Sequence, residues 1–452
     1  MIFATRALLA GGWAEKVRIT VRDGRIAGIA TGAAPQPGDT RADTLLPALA
    51  NLHSHSFQRA MAGMTEYRAA GRESFWTWRD LMYRFLDRLT PDQIEAIAAM
   101  VFMEMQETGF ASVGEFHYVH HQTGGAAYDD PAELSARIFA GAAATGIGLT
   151  HLPVLYSYGG AGRRPLAGGQ LRFGNDPGRF AGLVAAARDA ARALPGDTRV
   201  GIAPHSLRAT SPGDLTEVLG LAGNGPVHIH IAEQPQEVAD ITAWLGARPV
   251  EWLLANAPVG PDWCPIHATH MTAGETAALA KSGAVAGLCP ITEANLGDGP
   301  FNGPGWIAAG GAFGLGSDSN VRISLTEELR MLEYSQRLRD LGRNVMVPEQ
   351  GPVGAWLYTT AARGGAQALG RSAGRIAEGL WADLVAIDST HPALCALGEA
   401  QLLDGLVFAA PDAVVTDLWS AGRHSVRAGR HVARDRIVPA YRRAVSALVA
   451  SL

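Results

Sequence analysis

Asn51-Leu52-His53-Ser54-His55 follows directly on the apolar run Leu45-Leu46-Pro47-Ala48-Leu49-Ala50. Histidines two positions apart at the end of a strand project from the same face, so both imidazoles can reach one ion. Taken alone, His-x-His is often no more than a polar strand end. Its weight comes from residues further along: His230 in His228-Ile229-His230-Ile231-Ala232-Glu233, His267 in His267-Ala268-Thr269-His270, and Asp318 in Gly316-Ser317-Asp318-Ser319. Three imidazoles and a carboxylate suit Zn²⁺ or a similar divalent ion and leave one coordination position open. The chemistry expected of such a set is metal-assisted hydrolysis.

Residues scattered this widely need strands that bring their ends to one place. From residue 45 on, apolar runs of strand length alternate with helical patterns over 91–108, 131–145, 179–194, 212–221 and 272–282. Pro91 and Pro212 follow Thr90 and Ser211, a capping residue and then proline at the first helical position. This alternation predicts parallel strands covered by helices. The first four runs end at His53-Ser54-His55, Glu115-Phe116-His117-Tyr118, Tyr156-Ser157-Tyr158 and His205-Ser206-Leu207-Arg208. The next four end at His230-Ile231-Ala232-Glu233, His267-Ala268-Thr269-His270, Thr292-Glu293-Ala294-Asn295 and Asp318-Ser319-Asn320. Eight apolar strands that each end in polar residues predict an α/β fold of the (β/α)₈ TIM-type barrel, with its site at that face. An open doubly wound sheet would gather such residues mainly at its switch point.

Before residue 45, the runs Val17-Arg18-Ile19-Thr20-Val21 and Arg25-Ile26-Ala27-Gly28-Ile29 flank Asp23-Gly24, a strong hairpin signal. After helical stretches at 325–341 and 353–369, strand texture returns in Gly379-Leu380-Trp381-Ala382-Asp383-Leu384-Val385, and a last helix is expected around 439–452. Chain ends often lie close together. Residues 1–46 with 374–452 are therefore expected to form a small β-sandwich beside a catalytic barrel over 47–373.

A net charge of −5 without any Lys/Arg block argues against nucleic acid as a partner. No apolar stretch is long enough to span a bilayer, and Met1-Ile2-Phe3-Ala4-Thr5-Arg6 lacks the charged and apolar regions of a signal peptide. Cys264, Cys289 and Cys395 lie far apart, which suits a reducing compartment. A cytoplasmic, soluble chain acting on a small molecule is expected.

The order His53-x-His55, strand-five His, strand-six His, strand-eight Asp resembles the amidohydrolase superfamily over essentially the whole chain. Gly379-x-x-Ala382-Asp383-Leu384-Val385 resembles that superfamily's return into its small β domain, while Pro47-Ala48 departs from the usual Pro-Gly. Many two-metal members bridge their ions through a carboxylated lysine on strand four. Here Ser206 and its neighbours stand there, and the only lysines are Lys16 and Lys281. The resemblance thus implies one divalent metal ion per chain, zinc by default, and the deaminase-like branch. It implies His53, His55, His230 and Asp318 as ligands. His230 is preferred to His228 because His230-x-x-Glu233 resembles the deaminase pattern, in which the glutamate carries a proton; His228 is expected to be a hydrogen-bonded interior residue. His267, preferred to His270 because Cys264-Pro265-Ile266 feeds it directly, is implied to orient the attacking water, with Asp318 accepting its proton. His117, His120 and His121 look like a metal cluster on paper, but are expected on a loop rim, with Tyr118 touching the substrate.

The longest motifs narrow the resemblance. Asn51-Leu52-His53-Ser54-His55-Ser56-Phe57-Gln58-Arg59-Ala60-Met61-Ala62-Gly63, Ser74-Phe75-Trp76-Thr77-Trp78-Arg79, Glu115-Phe116-His117-Tyr118-Val119-His120-His121, His205-Ser206-Leu207-Arg208 and Thr292-Glu293-Ala294-Asn295-Leu296-Gly297-Asp298-Gly299 resemble the N-formimino-L-glutamate deiminases of histidine degradation. That family implies a homodimer, and a small dianionic substrate with an amidine-like head. Carboxylates call for arginines, and Arg208 and Arg79 are the candidates; the simpler use of Arg79 is to stack on Trp76 or Trp78. Gln58 and His205 suit the polar head or a carboxylate oxygen. The alternative is a single-metal deaminase of a purine or related ring, whose pocket would favour aromatic and amide groups over paired arginines. A non-catalytic binding protein on the same barrel would be expected to have lost ligands, and none is missing.

Overall fold

The computed structural model describes residues 1–68 and 75–452, and of 75–77 the backbone alone. Among these residues the strands form two sheets. The chain opens with β1 (Ile2–Leu9), β2 (Gly12–Arg22), β3 (Arg25–Ala30) and β4 (Thr40–Pro47). The hairpin expected at Asp23-Gly24 forms, with Arg22 opposite Arg25. Both turn residues take positive φ, 50° and 77°, the conformation for which Asp-Gly is selected in two-residue hairpins. Gly24 is required for space as well, since a Cβ there would lie 2.8 Å from the Ala421 carbonyl oxygen.

The second sheet is built from β5 (Leu49–Ser54), β6 (Phe110–His117), β7 (Gly148–Leu155), β8 (Arg199–Val200), β9 (Ala203–Pro204), β10 (Val227–Ile231), β11 (Trp263–His267), β12 (Val285–Leu288) and β13 (Ala312–Leu315). β8 and β9 are two halves of one strand, both parallel to β7. Ile202 between them bridges to Val227 of β10, and Leu315 of β13 pairs with Asn51 of β5. The ring closes, and the (β/α)₈ barrel read from the sequence is present. Its strands are buried on both faces, which is why they read as continuous apolar runs. The helices Pro91–Glu107 and Pro212–Val218 begin as expected, with Thr90 and Ser211 accepting from Gln93 and Asp214 backbone N–H groups and proline next in line.

Two boundaries differ from expectation. The seventh barrel strand stops at Leu288, and Thr292-Glu293-Ala294-Asn295 lie on the helix Pro290–Leu296, because Pro290 starts a helix directly behind Cys289. The last helix spans Arg434–Val449 and takes Pro439 into its interior. Tertiary packing sets that start: Ile437 and Tyr441 pack on Ala99, Met100 and Met103 of Pro91–Glu107.

The chain closes with β14 (Leu384–Ile387), β15 (Val415–Ser420), β16 (Arg423–Arg427) and β17 (Arg430–His431). These join the N-terminal strands in the order β17-β16-β15-β14-β4-β1-β2-β3, through the antiparallel pairing of Leu384 with Pro47. The eight strands form one continuous sheet curled around Ile19, Ile26, Leu384 and Trp419. Buried ion pairs tie it to the barrel. Arg371 Nε lies 2.6 Å from Asp383 Oδ2 and its Nη2 3.0 Å from Asp197 Oδ2, which Arg423 Nη2 also meets at 2.7 Å. Removing this guanidinium leaves the buried Asp383 without a cation and Asp197 with Arg423 alone. Arg371→Ala is expected to destabilise the chain by about 3–5 kcal/mol in chemical unfolding, whereas a loss under ~1 kcal/mol would mean the network is solvated.

Candidate metal centre

At the C-terminal mouth of the barrel, one ligand atom each from His53, His55, His230 and Asp318 falls within 4.8 Å of all the others, and all four residues are buried. His230 Nε2 lies 3.1 Å from His53 Nε2 and 3.3 Å from His55 Nε2. Asp318 Oδ1 stands 3.4 Å and 3.3 Å from the same two nitrogens. The outer ring nitrogens explain this convergence. His55 Nδ1 is 2.9 Å from the Phe116 carbonyl and His230 Nδ1 is 3.1 Å from the His205 carbonyl. Each Nδ1–H donates there, which fixes the tautomer and leaves a bare Nε2 lone pair turned inward. Burial keeps the rings neutral, pushing His53 down to about 3 and His55 and His230 below the usual imidazole range. Lone pairs facing one another at this range repel unless a cation lies between them. The donor set therefore fits a divalent ion.

Backbone strain marks the same region. Ala232, His267, Ala268, Asp318 and Asn320 all hold φ between 44° and 69°, a conformation that costs a non-glycine residue about 1–3 kcal/mol and persists only where its surroundings impose it. For Asp318 the surroundings are visible. Asn51 Nδ2 donates to Ser317 Oγ at 2.6 Å, and Ser317 Oγ donates to Asn320 Oδ1 at 2.6 Å. Asn320 Nδ2 reaches Ser54 Oγ at 3.2 Å. The backbones interlock too, His55 N–H on the Asp318 carbonyl at 2.9 Å and Asp318 N–H on the His53 carbonyl at 3.0 Å. Sequence reasoning gave Asn51, Ser317 and Asn320 no role.

Beside the four candidate ligands lie His267 and Glu233. His267 Nε2 is 3.8 Å from both Glu233 Oε1 and Asp318 Oδ2, and Nδ1 is 3.3 Å from Glu293 Oε1. Burial opposes a charge on this ring, but Glu233, Glu293 and Asp318 around it raise it to about 10. Burial raises the Glu233 carboxyl, against the pull of His267 and Arg208. Glu293, quoted above only as part of a motif, holds the far side of His267 and accepts the Cys289 N–H at 3.1 Å. Arg208, expected to await a carboxylate, already has one: its Nη2 is 3.3 Å from Glu233 Oε2.

The cleft over this cluster combines aromatic walls with a few convergent polar groups, the lining of a small-molecule site. Gln58, Arg79, Tyr118, His205 and Arg208 all line it, together with Trp78, Met82, Tyr83, Tyr156 and Phe173. Gln58 Nε2 donates to Tyr118 Oη at 2.7 Å. The His205 ring packs between Tyr156 and His230, with centroids at 4.6 Å and 4.8 Å. Arg79 lies 5.5 Å from the centre of the Tyr83 ring, one helical turn on. Trp76, offered as its stacking partner, has its side chain outside the described residues, as do Ser74, Phe75 and Thr77 of the same motif.

His228 turns away from the cleft and bonds the Ala368 carbonyl at 2.8 Å, an interior histidine as expected. His270 bonds the Asp298 carbonyl at 2.9 Å. His117, His120 and His121 correct the expectation of a loop rim, because all three are buried. The segment around Arg172 covers them: its carbonyl accepts the His120 and His121 N–H groups at 2.9 Å and 3.0 Å. His120 Nε2 then bonds Val154 O and His121 Nε2 bonds Gly174 O, each at 2.9 Å.

An ion that binds only the folded chain stabilises it by mass action. Dialysis against a strong chelator is expected to abolish turnover and lower Tm, and added Zn²⁺ should restore both. Unchanged activity and Tm in metal-free protein would contradict the metal reading.

Comparison with known proteins gives this geometry its relatives. The amidohydrolase family matches residues 44–424, and the N-terminal domain of formimidoylglutamate deiminase HutF matches residues 1–43. A formimidoylglutamate deiminase of Pseudomonas aeruginosa is 48% identical over 443 residues, 97% of each chain. The crystal structure of an amidohydrolase from Brucella melitensis superposes with a TM-score of 0.95 at 47% identity, covering 99% of both chains. An adenosine deaminase from Xanthomonas campestris with bound zinc shares the fold, with a TM-score of 0.82 at 22% identity over 99% of this chain and 98% of that one. With strand ends, strained turns and the terminal sheet accounted for, the chain belongs to the amidohydrolase family, in the branch that carries the formimidoylglutamate deiminase N-terminal domain.

Proposed function

We propose that this hydrolase of C–N bonds converts N-formimino-L-glutamate and water into N-formyl-L-glutamate and ammonia, a step of histidine degradation. The observation that carries the reading is the placement of two guanidinium groups, Arg79 and Arg208, in one cleft with the His/Asp cluster. A purine has no carboxylates to occupy them. The 48% identical relative bears the name of this activity.

In this reading His53, His55, His230 and Asp318 hold one divalent ion, zinc by ligand type. Such an ion supplies Lewis-acid activation of water, lowering its pKa from about 15.7 towards 7. Asp318 accepts the first proton as water attacks the amidine carbon. His267 Nε2, 3.8 Å from both Asp318 and Glu233, aligns that water. Glu233 then delivers a proton to the departing nitrogen, which leaves as ammonia and not as an amide anion. Its own raised carboxyl suits a group that must be protonated in turn. Arg208 and Arg79 face the substrate carboxylates, while Gln58, Tyr118 and His205 hold the polar head. A carboxylate that reaches Arg208 competes with Glu233 for the same guanidinium, so binding releases Glu233 for proton transfer.

The same reading takes residues 47–373 as the catalytic unit and 1–46 with 374–452 as its appendage, since each sheet draws its strands almost wholly from one of these sets. It makes the chain a cytoplasmic homodimer with neither nucleic acid nor membrane as partner. Cys264, Cys289 and Cys395 are unpaired, as a reducing compartment requires, and among the described residues no helix is long and apolar enough to cross a membrane; the homodimer rests on the family resemblance.

Purified, zinc-loaded protein should release ammonia from N-formimino-L-glutamate, and no release would remove this substrate. Glu233→Gln is expected to lower kcat by roughly 10²–10⁴-fold at unchanged metal content, and normal turnover in that variant would end the proton-carrier role. Arg208→Ala separates the two substrate classes. A KM raised by about 10-fold or more is expected for a dianion, whereas deamination of purines untouched by the substitution would favour the ring deaminase.

A further inference from the structure

Glu237 lies outside every role assigned so far, yet it is fully buried in the first turn of the helix Pro235–Leu245, beneath the residue proposed to carry the proton. A glutamate at the third helical position ordinarily reaches back to the N–H of the capping residue, here Gln234. This one reaches further. Oε1 accepts the Ala232 N–H at 3.2 Å, and Oε2 accepts the Glu233 N–H at 2.9 Å. Its carboxylate thus spans the first two of the three residues that carry the chain from β10 into the helix. The turn it spans is the strained one, with Ala232 at φ 52°. Two N–H groups fixed by one buried carboxylate supply the restraint that a left-handed alanine requires.

The same carboxylate also meets the charge in the cleft. Glu237 Oε2 lies 3.9 Å from Arg208 Nε, while Arg208 Nη2 lies 3.3 Å from Glu233 Oε2. Both carboxylates face the guanidinium along its Nε–Nη2 side. Glu237 consequently fixes the backbone from which Glu233 projects and places its charge beside the cation that Glu233 faces.

We infer that Glu237 is a positioning residue, clamping the Ala232–Glu233 turn so that Glu233 and Arg208 are held in register for proton transfer. The inference rests on the reading of Glu233 as proton carrier, and its test separates the two. In Glu237→Gln the oxygen lost is replaced by an N–H donor that faces a backbone donor or the Arg208 cation. Hydrogen exchange of the Ala232 and Glu233 amides in zinc-loaded protein reads the clamp without any substrate. Wild-type amides should be protected, and exchange in Glu237→Gln should quicken by roughly 10-fold or more. In ammonia release, kcat should fall by roughly 10–100-fold at wild-type metal content, the usual cost of losing a group that orients another. The double variant Glu233→Gln/Glu237→Gln should be no slower than Glu233→Gln alone, because the clamp acts only through Glu233. Should the glutamine variant fold poorly, Glu237→Asp keeps the charge on a shorter stem and should recover part of both protection and kcat. Unchanged exchange in Glu237→Gln, or losses that multiply in the double variant, would overturn the positioning role. Full turnover in Glu233→Gln would instead remove the proton-carrier reading and leave the exchange result to judge the clamp.

Discussion

The centre depends on where two of its imidazoles send their protons. His55 and His230 donate from Nδ1 to the carbonyls of Phe116 and His205, so their Nε2 lone pairs turn inward to meet His53 and Asp318. In water this arrangement would collapse, as each ring would take a proton or a solvent partner. Inside the barrel mouth burial removes both options, and a divalent cation is the group that relieves the repulsion. The barrel serves this constraint. Parallel strands bring backbone carbonyls alongside histidines of neighbouring strands, and ring closure between β5 and β13 delivers Asp318 to the same point.

Charge balance organises the rest of the cleft. Asp318, Glu233 and Glu293 surround His267, while Arg208 lies against Glu233 with Glu237 just beyond. Burial raises the proton affinity of Glu233, and His267 and Arg208 lower it again. A substrate that brings its own carboxylates disturbs that balance at Arg208, which couples occupancy of the cleft to the state of Glu233. The strained turns at Ala232, His267 and Asp318 fit the same picture, because each aims a reacting side chain from the last residues of a strand.

What the sequence made legible follows from where barrel chemistry sits. Catalytic side chains stand at strand ends, so His53-x-His55, His230, His267 and Asp318 could be read from apolar runs and spacing, and the barrel with them. The scaffold beneath them was not legible. Asn51 bonds Ser317 across 266 residues, a contact that exists only once the ring has closed. The histidines at 117, 120 and 121 read as a rim because a loop histidine and one covered by a later segment share the same local sequence. Arg208 was half legible: its strand end could be read, but its pairing with Glu233 depends on the turn after β10. The last helix started early because Ile437 and Tyr441 found a partner helix that no local signal announces.

The central claim is that one divalent ion is held by His53, His55, His230 and Asp318. X-ray absorption at the zinc edge of the reconstituted protein tests it most directly, compared with the His230→Ala variant. The account predicts imidazole nitrogens at about 2.0–2.1 Å, a carboxylate oxygen at about 2.0–2.2 Å and no sulfur neighbour, with one imidazole shell contribution lost in the variant. A sulfur scatterer near 2.3 Å, or a spectrum that His230→Ala leaves unchanged, would contradict it.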